Sequence, residues 1–97
     1  MTLDELQQRI EKMYSAKDRT RGAAATFLWL SEEVGELAAA IATGSQEEKA
    51  AEFADVLAWL VTLANVEGVN LARAMEQKYG DGCPGCGKMV CLCSVKG

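Results

Sequence analysis

The only proline among the 97 residues is Pro84, so glycine alone can interrupt the backbone ahead of it. Through that stretch apolar residues recur at spacings of three and four with no useful period-2 run, which predicts helices and no strands. Thr2 with Glu5 reads as a capping box, and Leu3, Leu6, Ile10, Met13 and Tyr14 trace an apolar face behind it. Lys17, Asp18, Arg19, Thr20, Arg21 and Gly22 break that face and read as a polar loop. A second helix is expected over about 23–43, with Phe27, Leu30, Val34, Leu37 and Ile41 inward and Gly44 as its stop. Ser45 and Glu48 open a third as a capping box. It continues to about Glu67 with Phe53, Val56, Leu57, Leu60 and Ala64 inward, until Gly68 ends it. Asn70 caps a shorter helix, Leu71 to Tyr79, before Gly80. The fold class is therefore all-α: a four-helix bundle over residues 1–79 and a cysteine-bearing extension over 80–97.

Four helices of this size bury a thin core. The second and third are apolar over more than half their circumference once alanines are counted, so self-association is expected.

Charge is unevenly spread. The net charge is -4, with 10 basic and 14 acidic residues, which argues against neutralising the phosphates of a nucleic-acid polymer. Between Glu32 and Asp55, however, seven acids face one base, Lys49, for a local charge of -6. Histidine is absent, which removes Ser-His-Asp and Cys-His catalysis and His-ligated zinc hydrolysis. No apolar run approaches the roughly 20 residues of a membrane span, and the amphipathic N-terminus is no signal peptide, so a cytoplasmic location is expected.

On a wheel of about 100° per residue, Trp29, Glu33, Glu36 and Ala40 form a stripe beside the apolar arc of the second helix, with Glu32 further round. Glu52, Asp55 and Trp59 form the matching stripe on the third. In an antiparallel hairpin both stripes edge one groove, and four carboxylates converge. Such convergence is costly without a cation, because close like charges repel. Oxygen-only ligation favours hard divalent ions, Mg²⁺ or Mn²⁺, over Zn²⁺. An open carboxylate cluster suits a phosphate-bearing substrate, and the tryptophans offer faces for a nucleobase. A solvated acidic face would place lysine at i+4, but Leu37, Ala40, Val56 and Trp59 stand there instead. Glu47 and Glu48, in a first helical turn, read instead as partners of the helix dipole. Gly35 inside the second helix is a further irregularity, disfavoured by about 1 kcal/mol unless close backbone approach is wanted.

Glu32-Glu33-Val34-Gly35-Glu36-Leu37 followed by Glu52-Phe53-Ala54-Asp55-Val56-Leu57 resembles the EExxE…ExxD signature of the MazG-like, all-α nucleoside triphosphate pyrophosphohydrolases. The resemblance spans roughly Thr2 to Tyr79, and the paired motif is specific where either half would be weak. It implies conversion of a nucleoside triphosphate and water to the monophosphate and pyrophosphate, with Glu33, Glu36, Glu52 and Asp55 as Mg²⁺ ligands. It offers Glu32, beside Glu33, as an acid that orients or deprotonates the attacking water, and Lys78 as a phosphate contact. It also implies a homodimer or homotetramer. The rival class is a non-catalytic helical oligomer that docks a partner through its cysteine tail.

All four cysteines lie in that tail, at Cys83, Cys86, Cys91 and Cys93. Cys83-Pro84-Gly85-Cys86-Gly87 is a knuckle sequence, and four thiolates satisfy a closed tetrahedral site, most often structural Zn²⁺. Two disulfides in one of three connectivities, an iron centre or a free redox pair are the other readings. Gly82 to Lys88 also spells GxxxxGK. Met89 stands where a P-loop needs Ser or Thr, and no strand precedes it, so a P-loop is rejected.

Overall fold

The computed structural model describes residues 1–96 and is all-helical among them: α1 (Leu3–Arg21), α2 (Ala23–Thr43), α3 (Gln46–Glu67) and α4 (Leu71–Tyr79). Three of the four starts carry a side-chain cap. Thr2 and Glu5 exchange the two bonds of a capping box, Ser45 Oγ accepts from the Glu48 N–H at 3.1 Å, and Asn70 Oδ1 accepts from the Arg73 N–H at 2.8 Å.

The expected polar loop at 17–22 is not a loop. Helix α1 runs through it to Arg21, and one residue, Gly22 at φ 81°, carries the whole turn into α2. Only glycine takes that conformation without strain. The chain therefore leaves α1 abruptly, and α1 packs chiefly along α3, while α2 and α3, joined through Gly44 and Ser45, form the main helical hairpin. Helix α4 folds back against α1.

A polar network around the buried Gln7 fixes that return. Gln7 on α1 donates through Nε2 to Asn65 Oδ1 at 3.0 Å and to the Val69 carbonyl at 2.6 Å, and its Oε1 accepts from the Leu71 N–H at 2.8 Å. Asn65 donates back to the Gln7 carbonyl at 3.3 Å, and Asn70 donates to Asp4 at 3.2 Å. One side chain thus joins α1 to the end of α3 and the start of α4. Gln7→Leu leaves several of these groups unpaired and is expected to lower unfolding stability by about 2–4 kcal/mol in urea titrations.

The core differs from the expected one. The buried apolar residues are Ile10, Leu30, Ala40, Val61 and Ala64, joined by Gln7, Asp18, Thr26 and Thr62. Phe27, Val34 and Ile41 on α2 and Phe53, Leu57 and Leu60 on α3, all expected inward, lie exposed, as do Met13 and Tyr14. Helix α2 turns inward a stripe of Thr26, Leu30, Glu33, Leu37 and Ala40. Phe27, Val34 and Ile41, the other members of the expected arc, are left outside. The periodicity was real, but only part of the expected face, Leu30 and Leu37 on α2 and Ala64 on α3, turns toward this chain's own helices. Nor does the chain crowd Gly35, since a Cβ there would meet nothing within 4 Å.

Candidate functional site

Because the inward stripe of α2 includes Glu33, a carboxylate is carried into the hairpin. Glu36 follows one turn on, and Glu52 projects from α3. Ligating oxygens of Glu33, Glu36 and Glu52 lie within 4.8 Å of one another. One oxygen each of Glu33 and Glu52, Oε2, is buried without a hydrogen-bond partner among the described residues. Buried polar atoms are ordinarily satisfied. Two orphaned carboxylate oxygens in one cluster are what a cation would complete.

The electrostatics agree. Burial, then repulsion from Glu36, Asp55 and Glu52, pushes the Glu33 carboxyl above its ordinary value. The Glu52 carboxyl is pushed up by burial and by Glu36 and Asp55. Each folded-state value lies above the ordinary 4.5, so folding favours the protonated form. The stabilisation this gives the metal-free fold is complete below pH 4.5 and is lost as the pH rises through the raised folded-state values. Thermal melts in chelator should therefore show a Tm declining across that window, with the decline smaller in Glu33→Gln and abolished by a saturating divalent cation.

Asp55 and Glu32 are not part of the trio. Asp55 contributes charge to it but lines a cleft of about 330 Å³ next door, together with Tyr14, Lys17, Asp18, Arg21, Ala58, Trp59 and Thr62. Glu32 is exposed. Trp29 stacks on Trp59 with ring centroids 6.0 Å apart and planes 16° apart, and the Arg21 guanidinium sits 4.8 Å from the Trp59 centroid. Lys78 lies on α4 with its ammonium 5.7 Å from the Tyr79 ring and does not line the cleft.

Lys17, Asp18 and Arg21 went unassigned in the sequence because that segment read as a loop. Its signal was the helical period, since Gln7, Ile10, Tyr14, Asp18 and Arg21 continue one stripe to Gly22. Asp18 is nearly fully buried; its Oδ1 accepts from Arg21 Nη1 and Nη2 at 3.1 and 3.0 Å, while Oδ2 has no partner among the described residues. Arg21 Nη1 also reaches Thr26 Oγ1 at 3.3 Å, across the Gly22 turn. The guanidinium is thus held against Trp59 from two sides, facing the cleft.

The chain is thus an all-helical protein with a carboxylate trio on α2 and α3 beside a cleft lined by Lys17, Arg21 and Trp59. The model of the MazG nucleotide pyrophosphohydrolase domain matches residues 21–84. The chain belongs to that family. No individual curated protein matches it.

Proposed function

We propose that this protein is a divalent-cation-dependent nucleotide pyrophosphohydrolase that splits a nucleoside triphosphate, ribo or deoxy, into the monophosphate and pyrophosphate. The observation that carries this reading is the pair of orphaned, buried oxygens on Glu33 and Glu52, within 4.8 Å of a Glu36 oxygen. This donor set, all oxygen and strongly anionic, fits Mg²⁺ or Mn²⁺. Glu33, Glu36 and Glu52 would hold the ion, with Asp55 as the fourth carboxylate of the family motif. When bound, the ion supplies charge neutralisation of the polyphosphate and a more acidic water.

The chain's own groups supply the rest. Lys17 and Arg21 offer cationic donors to phosphate oxygens along the cleft, and Asp18 keeps the Arg21 guanidinium oriented while Arg21 is in use. Trp59, backed by the stacked Trp29, offers the nucleotide a flat apolar face. Glu32, adjacent to the trio in sequence, positions or deprotonates the attacking water. Lys78 is retained as a phosphate contact by its place in the family pattern. The outward stripes of α2 and α3 assemble the chain into a homodimer or homotetramer.

Metal binding tests the site apart from turnover. Titration with Mn²⁺, followed by loss of the free-ion electron paramagnetic signal, should give saturable binding that Glu33→Gln weakens at least about tenfold. Equal binding by both proteins would remove the trio as the site. In turnover, Arg21→Ala is expected to raise KM about tenfold with a smaller change in kcat, measured by pyrophosphate release.

A further inference from the structure

Beyond α4 the chain gathers its four cysteines into one cluster. Gly82 stands at φ 116°, and a Cβ there would come within 2.8 Å of the Lys88 carbonyl oxygen. Only glycine lets the two arms of this loop close so tightly. The Cys83 N–H donates to that carbonyl at 2.8 Å, and the Gly87 N–H, from a left-handed residue at φ 72°, donates to the Cys83 carbonyl at 2.7 Å. The loop so pinned holds Cys83 and Cys86 on one turn. The returning segment brings up Cys91 and Cys93, and the Leu92 N–H is aimed at Cys86 Sγ at 3.4 Å and the Cys93 N–H at Cys91 Sγ at 3.3 Å.

Ligand atoms of all four cysteines lie within 4.8 Å of one another, and Cys83 and Cys93 sulfurs are 3.9 Å apart. Zinc–thiolate bonds of about 2.3 Å in a tetrahedron put sulfurs about 3.8 Å apart, whereas a disulfide needs about 2.05 Å. No disulfide joins any of the four. The segment has no apolar core either: Met89, Val90, Leu92 and Val95 are all largely exposed. Hydrophobic burial cannot be what gives the tail one shape.

We infer that Cys83, Cys86, Cys91 and Cys93 form a closed tetrathiolate site for one Zn²⁺ ion, and that this ion folds the tail. Four protein ligands leave no position for water or substrate, so the site is structural. The protein thus sorts two metals by ligand softness: carboxylates on α2 and α3 for a hard ion, thiolates after α4 for a soft one.

Full-length protein purified under reducing conditions tests this by elemental analysis and thiol titration. One zinc per chain is expected, released as a mercurial titrates four thiols. Replacement by Co²⁺ should give the sulfur-to-cobalt charge-transfer and tetrahedral d–d bands of a four-thiolate site. Cys86→Ser should retain less than about one tenth of the zinc. Its far-UV helicity and its Mn²⁺ binding at the carboxylates should be unchanged, so metal loss cannot be mistaken for global unfolding. Stoichiometric iron, two disulfides by mass, or a metal-free protein with four freely titrating thiols would each overturn the assignment.

Discussion

Glu52→Gln should reduce pyrophosphate release about a thousandfold while raising the Tm of the metal-free protein by a few degrees. The two effects come from one cause. In the absence of a cation Glu52 adds an anion to a place that already holds Glu33 and Glu36, with Asp55 nearby, and one of its oxygens has no hydrogen-bond partner. The amide removes that repulsion and relieves the fold. The same change takes a charged ligand from the cation, and charge stabilisation of several kcal/mol at a phosphoryl centre corresponds to about three powers of ten in rate. Added Mg²⁺ separates the variants further. It should raise the Tm of the native protein strongly and that of Glu52→Gln little, because a ligand stabilises only the form that binds it. A variant that loses activity and stability together would mean that Glu52 serves the fold and not the site.

Assembly carries the second large effect. Phe27, Val34 and Ile41 recur every seven residues on α2, with exposures of 57%, 48% and 55%, and Phe53 on α3 is 57% exposed. The chain's own buried apolar core consists of Ile10, Leu30, Val61 and two alanines. A bulky exposed apolar stripe beside so small a core suits a face that another molecule covers, and a second copy offers the same stripe in return. The protein should therefore sediment as a multiple of 10.4 kDa, with a Tm that rises with concentration. Phe27→Asp should weaken association by at least about 3 kcal/mol, more than a hundredfold in Kd. A monomeric native protein with a concentration-independent Tm would contradict this outright.

Helix number, three of the four caps and the hairpin of α2 and α3 were legible because capping chemistry and apolar period are local properties. Thr2, Ser45 and Asn70 cap where their hydrogen-bonding side chains dictate. What failed was nonlocal. Period shows that Phe27, Leu30, Val34, Leu37 and Ile41 share an arc, but not whether that arc meets the same chain or a neighbour. Only the packing distinguishes Leu30, which is buried, from Phe27, which is not. The continuation of α1 through Lys17–Arg21 was hidden for a related reason. Charged residues there look like a loop until Asp18 is seen buried against Arg21, a pairing that satisfies one of its carboxylate oxygens. The carboxylate stripes could be drawn on a wheel, and Glu33, Glu36 and Glu52 do come together. That Asp55 would face the cleft instead depends on how α1 packs on α3, which the acidic motif does not encode. The cysteine tail was the easiest of all, because four thiols in eleven residues have few ways to avoid one another.

The most direct test of the central claim is product analysis by phosphorus NMR, with purified protein, Mg²⁺ or Mn²⁺, and each of the common ribo- and deoxyribonucleoside triphosphates. Stoichiometric nucleoside monophosphate and pyrophosphate, from at least one substrate and absent with chelator, is the predicted result. Orthophosphate with nucleoside diphosphate, or no turnover across the panel with either ion while Mn²⁺ still binds the trio, would contradict it and leave a non-catalytic helical oligomer in its place.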